Sequence, residues 1–238
     1  MKNSAHSGID RGALKIIAAV TMLVDHIGAI LFPHTMILRI IGRIAFPVFA
    51  FMIAEGCAHT KNKSKYLRSI LLFGILTHII KMYFGDNFRL NIMFTFALSV
   101  VMIYVFQYAL ESYEYNKSQS RKIYSSLLFA VSVALVCIIN QMVDIDYGFA
   151  GCITPLIVFM GGMVRTGCIN ANRVKAVFLA LALSLVYIPL GGVQIYSFAA
   201  VALMWFYNGD RGGAVPKYFF YVFYPAHLAV LYVIKMFM

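Results

Sequence analysis

Two adjacent ionisable residues, Asp25 and His26, lie in an otherwise apolar stretch, MLVDHIGAI. Ionisable groups inside a bilayer are costly, so they usually face a bundle interior or a water-filled cavity and mark a functional site. Neighbouring side chains on a helix point about 100° apart, so Asp25 needs a partner other than His26. Arg39 and Arg43 stand four residues apart on one helical face. An Asp25–Arg43 ion pair would relieve the desolvation cost of both groups.

His26 has two interpretations. It can be a functional group in a polar site inside the bundle. A lone histidine is more simply a hydrogen-bonded member of a helix bundle. The sequence, however, predicts more polar side chains at the same depth, near the outer ends of neighbouring helices. Together with Arg39, these outer polar residues are His78, Lys81, Asn91, Asp144, Asp146 and Tyr147.

Asp144 and Asp146 form a pair of acids in an outer loop, and such a pair is more often solvated surface than part of a site. A second polar group is predicted at the opposite end of the helices, where cations would suit a polyphosphate ligand. Lys15 precedes His26 by eleven residues, which puts both on one helical stripe about 16 Å apart. A long, thin donor could lie along this stripe, with its charged end at Lys15 and its reactive end at His26. The other candidates at this end are Arg11, Arg68, Asn208, Arg211 and Lys217.

The elements that position these residues are predicted to be long apolar helices. The chain has 238 residues, of which 62% are hydrophobic and 12% are charged, which is unlike an ordinary soluble domain. Apolar runs of about twenty residues recur, and each can cross a hydrocarbon core of roughly 30 Å as a helix. We predict an all-α, polytopic transmembrane helix bundle that forms one domain over residues 1–238. The predicted spans, about nine, are 13–32, 36–58, 67–84, 90–110, 123–140, 147–164, 174–189, 193–207 and 218–237.

Lysine and arginine are concentrated in alternate connections between these spans, namely 2–11, 61–68, 117–122, 165–175 and 211–217. By the positive-inside rule, this pattern predicts a cytoplasmic N-terminus and an external C-terminus. The asymmetry explains most of the net charge of +11, and we predict no nucleic-acid partner because no recognition motif accompanies it. The four cysteines are widely spaced, and we predict no metal site.

Six segments resemble the motifs of the TraX family, membrane proteins known as F-pilin acetylases. They run in family order from Leu14 to Tyr232, and they are LKIIAAVTMLVDHIG, LRIIGRIAFPVFAFMIAEG, NIMFTFALS, DIDYGFAG, YNGDRG and YVFYPAHLAVLY. More loosely, the spacing from Lys15 to His26 resembles the Arg-x10-His arrangement of membrane acyltransferases that acetylate extracytoplasmic sugars. Lysine keeps the charge of that arginine but not its planar fork.

The resemblance implies transfer of an acetyl or other acyl group from cytoplasmic acyl-CoA to an amine or hydroxyl outside. The acceptor would be the amino terminus of a pilin-like peptide, or else a glycan, and the location the inner membrane of a bacterium. The outer polar residues would bind this acceptor, and Asp144 and Asp146 could hold its cationic amine. His26 would be the base or would itself accept the acyl group, while Arg43 would either stabilise an oxyanion or hold Asp25 in place. His227, in the middle of the last span after Pro225, is either functional or simply packed.

Two other classes of function fit the same residues. A proton-coupled transporter could use Asp25, His26 and His78 as a relay without covalent chemistry. A non-catalytic assembly factor would retain the fold and bind no acyl-CoA. A transporter needs access to its site from both sides, whereas an acyltransferase needs a phosphate site inside and an acceptor site outside. The distribution of charges favours the asymmetric arrangement.

Overall fold

The computed structural model describes residues 8–85, 89–115, 118–164, 170–210, 212–213 and 219–238. In these ranges the chain is helical apart from turns and two isolated β-bridges. The α-helices are α1 (Arg11–Ile30), α2 (Met36–Gly42), α3 (Ala45–His59), α4 (Lys63–Tyr83), α5 (Ile92–Glu114), α6 (Gln119–Met142), α7 (Gly148–Gly161), α8 (Ala171–Leu190), α9 (Ala199–Trp205) and α10 (Phe219–Met236), with a 3₁₀ helix (Gly192–Phe198) leading into α9.

The all-α transmembrane prediction is confirmed. Within the described ranges, seven segments are long and apolar enough to cross a membrane: α1, α2 with α3, α4, α5, α6, α8 and α10. Two shorter apolar segments, α7 and the 3₁₀ helix with α9, correspond to the predicted spans 147–164 and 193–207. The boundaries differ by a few residues, because polar residues such as Lys63 extend a helix beyond its apolar run.

The predicted span 36–58 is interrupted by a turn at Arg43 and Ile44. Pro47 explains this position, because proline lacks a backbone N–H and its ring clashes with the carbonyl four residues earlier, which is that of Arg43. The turn lets Arg43 leave the regular path of the helix at the level of Asp25, with which it forms an ion pair.

The bundle is organised around α3, whose Val48, Ala50 and Phe51 are completely buried. Helix α3 packs against α1, α5, α7, α8 and α9. The short helix α7 is therefore largely interior, whereas α9 buries Ala200 and Met204 and exposes Trp205. Helix α6 is peripheral and turns Leu127, Leu135 and other apolar side chains outward, as expected for a surface that faces lipid.

Two β-bridges join connections that the topology predicts to share a side. Ile9 pairs with Tyr207 at one end of the bundle, and Leu90 pairs with Ile145 at the other. Both pairs have backbone hydrogen bonds of 2.9 to 3.0 Å. The nine-span alternation requires this arrangement, since residues 9 and 207 fall on the predicted cytoplasmic side and residues 90 and 145 on the predicted outer side.

The predicted orientation can be tested with cysteines introduced at Ser64 and at Asp144, both exposed at opposite ends of the bundle. We expect a membrane-impermeant thiol reagent applied to intact cells to label position 144 and not position 64, because lysines cluster around Ser64. Labelling is measured by gel shift, with the parent protein and its native cysteines as the control. Labelling of position 64 in intact cells would reverse the orientation.

Candidate functional site

A polar cavity of about 500 Å³ opens at the end of the bundle that carries the connection before α7. We call it the outer cavity, because that connection is predicted to face outside. Helices α1, α2, α3, α4 and α10 contribute to its walls. Its polar lining residues among those described are Asp25, His26, Arg39, Arg43, Lys81, Arg89, Asp146, Tyr147, Gln194, Tyr224, Tyr232 and Lys235.

Asp25 binds two arginines in this cavity. The predicted ion pair between Asp25 and Arg43 is present, and Arg39 joins it with a contact of 2.8 Å between Nη1 and the Asp25 carboxylate. The same Nη1 atom donates to the Asp25 backbone carbonyl at 3.0 Å. Gly42 permits this close packing of α2 on α1, because a β-carbon there would collide with the Asp25 carboxylate.

His26 is hydrogen bonded to His227 of α10, with 2.8 Å between His26 Nδ1 and His227 Nε2. His227 is buried, and its Nδ1 lies 2.6 Å from the Phe223 carbonyl oxygen. A carbonyl can only accept, so His227 Nδ1 carries a proton and, in the neutral ring, His227 Nε2 is an acceptor. His26 Nδ1 must then be the donor. This chain of bonds leaves the lone pair of a neutral His26 on Nε2, which has no hydrogen-bond partner among the described residues.

A second cavity, of about 230 Å³, lies towards the predicted cytoplasmic end, and we call it the inner cavity. Most of its wall is apolar or aromatic, including Met52, Ile70 and Phe96, and Arg11, Lys15 and Glu55 provide its charges. Lys15 Nζ lies 5.4 Å from the centre of the Phe220 ring. The inner cavity therefore combines cations with a long apolar surface.

Glu55 is buried beside the inner cavity and pairs with two cations. Its carboxylate lies 2.5 Å from Lys175 Nζ and 3.4 Å from Arg11 Nη2. Arg11 Nε also donates to the Tyr207 hydroxyl at 3.4 Å. This network joins α1, α3 and α8. Lys15, which also lines the inner cavity, forms no ion pair with a carboxylate in the described part of the chain.

The two cavities adjoin inside the bundle. Both are lined by the same four residues, which are Met22, Phe49, Ile92 and Tyr224. On α1, Lys15 lines the inner cavity, Met22 lines both, and His26 lines the outer cavity. The stripe predicted from the spacing of Lys15 and His26 thus runs along the two cavities in sequence.

Comparison with known proteins gives the family. The model of a family described as TraX protein matches residues 10–235. The chain belongs to the TraX family. The resemblance of the six sequence motifs is thereby confirmed over nearly the whole chain.

Two relatives of this TraX family member are informative. It is 30% identical to the probable fimbrial assembly protein FimC, serogroup H1, of Dichelobacter nodosus, over 94% of this chain and 95% of that protein. It is 36% identical to an uncharacterized protein of Rickettsia prowazekii (strain Madrid E), over 43% of this chain and 40% of that protein. No solved structure matches the chain at a significant level.

Of the predicted acceptor residues in this TraX protein, Arg39, Lys81, Asp146 and Tyr147 line the outer cavity. Tyr147 caps α7 with a left-handed backbone, φ 64°, and its ring stacks on Phe46 with 3.9 Å between centres. A positive φ is uncommon for a bulky residue. The connection before α7 therefore places the Tyr147 ring against the cavity wall.

The structure places the other three predicted acceptor residues outside the cavity lining. Asn91 is buried, caps α5 and donates to the Gly74 carbonyl at 2.9 Å, so it joins α4 to α5. Asp144 is exposed and pairs with Arg89 at 2.9 Å. His78 packs edge-on against Phe94, and its buried Nδ1 has no partner in the described ranges.

Two of the predicted donor-binding residues line the inner cavity, and the others do not or lie outside the described residues. Lys15 and Arg11 line the inner cavity, whereas Arg68 is exposed on α4 and lines neither cavity. Asn208 supports a turn, because its backbone N–H bonds to the Ile9 carbonyl and its side chain accepts from the Asp210 N–H. Arg211 and Lys217 lie outside the described residues.

The sequence-based site omitted Glu55, Lys175, Tyr224 and Lys235. Glu55 carries the same signal as Asp25, a carboxylate inside an apolar span. Tyr224, which lines both cavities, immediately precedes Pro225 in the last TraX motif. Among the described residues, no group of three or more metal-binding side chains comes together.

Proposed function

We propose that this TraX family protein is a membrane acyltransferase. It transfers an acetyl group from cytoplasmic acetyl-CoA to an amine or hydroxyl on the outer side, with the amino terminus of a pilin-like peptide as the first candidate acceptor and a glycan as the second. One observation carries the proposal. A histidine with an available Nε2 lines a polar outer cavity, and that cavity adjoins a cation-bearing inner cavity through shared walls.

The inner cavity suits the donor. A CoA ester has a strongly charged nucleotide, which cannot enter lipid, and a thin arm that ends in the thioester. Lys15 and neighbouring cations would hold phosphate groups, and the apolar wall would hold the arm. The thioester would then reach His26 past Met22, about 16 Å along α1 from Lys15.

His26 would be the general base. As the acceptor amine or hydroxyl attacks the thioester carbonyl, its proton passes to His26 Nε2, the C–S bond breaks, and the CoA thiolate leaves and recovers the proton. The hydrogen bond from His26 Nδ1 to His227 holds the imidazole in the required orientation. Cations around the outer cavity would stabilise the negative oxygen of the tetrahedral intermediate. A two-step route through an acyl-histidine would use the same atoms.

The arrangement favours this function over a proton-coupled transporter. A relay through Asp25, His26 and His78 would require the three side chains to meet, and His78 lines neither cavity. Because the donor is cytoplasmic and the acceptor is external, the protein would work in the inner membrane of a bacterium.

The proposed donor site predicts that removing Lys15 lowers the affinity for acetyl-CoA. We expect Lys15→Ala to weaken binding of labelled acetyl-CoA to the purified protein by roughly 10- to 100-fold, the value of one charge-assisted hydrogen bond. Lys65→Ala removes an exposed lysine that lines neither cavity, and it should leave the affinity unchanged. Mass spectrometry of candidate peptides and glycans incubated with the protein and acetyl-CoA then tests transfer itself. Equal affinity in the two variants, or no acetylated product, would contradict the proposal.

The name of the Dichelobacter nodosus relative favours a second candidate, a role in fimbrial assembly without catalysis. Acetylation of the product in a complemented deletion strain distinguishes the two candidates. An acyltransferase would produce acetylated product with the parent and lose it with His26→Asn, whereas an assembly factor would restore fimbriae and give no acetylated product with either.

A further inference from the structure

The outer cavity has an excess of positive charge. Among the described residues, five cations line it, whereas the carboxylates in its lining are Asp25 and Asp146; one of the five cations, Arg89, also pairs with Asp144, which lies outside the lining. The cations are Arg39, Arg43, Lys81, Arg89 and Lys235. Three of them, Arg39, Arg43 and Lys81, share the lining of the outer cavity with His26. Cations therefore outnumber carboxylates in the cavity that holds the base.

The charges at Asp25 do not cancel, because its single carboxylate pairs with two guanidinium groups. The Arg43 side chain is only 7% exposed and that of Arg39 is 31% exposed, so both are largely withdrawn from water. Arg39 bonds to Asp25 through Nη1 alone, and its Nε and Nη2 have no partner in the described part of the chain. A partly desolvated cation with spare donors is stabilised by an anionic ligand, above all one with paired oxygens.

We propose that the outer cavity recognises an anionic acceptor, a peptide whose free amino terminus is followed within a few residues by an acidic side chain. The acidic group would bind Arg39, with Lys235 at the mouth of the cavity as a second contact. This inference rests on the proposed function for the identity of the reacting amine. It assigns the recognition of the acceptor to the cations instead of to Asp144 and Asp146.

The charge also suits the chemistry of an amine. An ammonium group has no lone pair and cannot attack a thioester. Positive surroundings disfavour the ammonium form and favour the neutral amine, while the acidic side chain supplies the attraction that the amine itself lacks. Asp144, the more exposed of the two acids, lies outside the cavity lining and is paired with Arg89.

The size of the cavity agrees with a chain end. About 500 Å³ is in the range of small-ligand pockets, roughly 300 to 1,000 Å³. It accommodates the first residues of a peptide and excludes a folded domain. A peptide terminus therefore fits both the volume and the charge.

The test uses the full-length protein in a neutral detergent, without acetyl-CoA, and fluorescent hexapeptides with free amino termini. The peptides of one set differ at a single position, which carries Glu, Gln or Lys. Four sets place this position at the second, third, fourth or fifth residue. We expect at least one Glu peptide to bind about 10-fold more tightly than its Gln counterpart at low salt. The difference should shrink as ionic strength rises.

Arg39→Gln should remove most of this preference, whereas Arg121→Gln, an exposed arginine of α6 that lines neither cavity, should keep it. Arg39→Gln retains the Arg43 pair of Asp25; if it nevertheless fails to fold, Lys235→Gln provides the same comparison at the mouth. No preference for Glu at any position, a preference for Lys, or an unchanged preference in the folded cavity variant would overturn the proposal. Tighter binding of a carboxylate-bearing glycan than of every peptide would overturn the peptide assignment.

A separate assay distinguishes failure of this inference from failure of the proposed function. Acidic peptides that bind but are never acetylated in the presence of acetyl-CoA would leave anionic recognition intact and refute the acyltransferase. Acetylation without preference for acidic peptides would support the acyltransferase and refute anionic recognition.

Discussion

Replacing His26 by asparagine is expected to reduce acyl transfer by about 100-fold or more, the usual effect of losing a positioned base. The choice of asparagine matters. Its amide nitrogen can replace Nδ1 as the donor to His227, so the buried Nε2 of His227 keeps its partner. The variant lacks only the basic Nε2 position. Stability and acetyl-CoA affinity should therefore stay close to those of the parent.

Three measurements on purified protein check this expectation: the initial rate of transfer from labelled acetyl-CoA, the affinity for acetyl-CoA, and the Tm. His59→Asn is the matched control, because His59 is exposed at the end of α3 and lines neither cavity. Full activity in His26→Asn would refute the role of His26 as base. A large fall in Tm would show instead that the pair with His227 is mainly structural.

Replacing Asp25 by alanine is expected to destabilise the fold. The change leaves Arg43, with a side chain only 7% exposed, without its carboxylate, and it removes the partner of Arg39 as well. Breaking a buried ion pair in this way costs about 3 to 5 kcal/mol. Activity should fall too, because the ion pairs hold α1, which carries His26, against α2.

A second substitution separates the loss of stability, which the unpaired cation causes, from the loss of activity. Arg43→Met in the Asp25→Ala background removes the buried, unpaired cation, so part of the lost stability should return while activity remains low. The control is Asp144→Ala. The side chains of Asp144 and Arg89 are 64% and 55% exposed, and such a surface pair contributes about 0 to 1 kcal/mol. The free energy of unfolding in mixed micelles measures all three, and parental stability of Asp25→Ala would refute the structural role.

Much of the architecture was predictable from the sequence, because it depends on local properties. Hydropathy and run length predicted the helical segments, including the two that are shorter than a usual span. The need of Asp25 for a cation, together with the spacing of Arg39 and Arg43, predicted the ion pair that is observed. Helix periodicity likewise predicted that Lys15 and His26 share one stripe.

The details of the site depended on how the helices pack. His26 and His227 are 201 residues apart in the chain, and no periodicity within one helix relates them. Which outer polar residues reach the cavity depends on how the helices pack, so Lys81 lines it and His78, three residues earlier on α4, does not. Glu55 lies in an apolar span, but only the fold brings Arg11 and Lys175 to it.

The sequence by itself therefore determined the helical spans, the distribution of charge between their ends, and the residues that need a partner in the bilayer. These follow from transfer free energies and helical geometry, which act residue by residue. Only the tertiary structure decided that His227 is hydrogen bonded to His26, that one carboxylate pairs with two arginines, and that the two cavities meet at Met22. These depend on close approaches between helices, such as that of Gly42 to Asp25, because packing selects one arrangement among many with the same hydropathy.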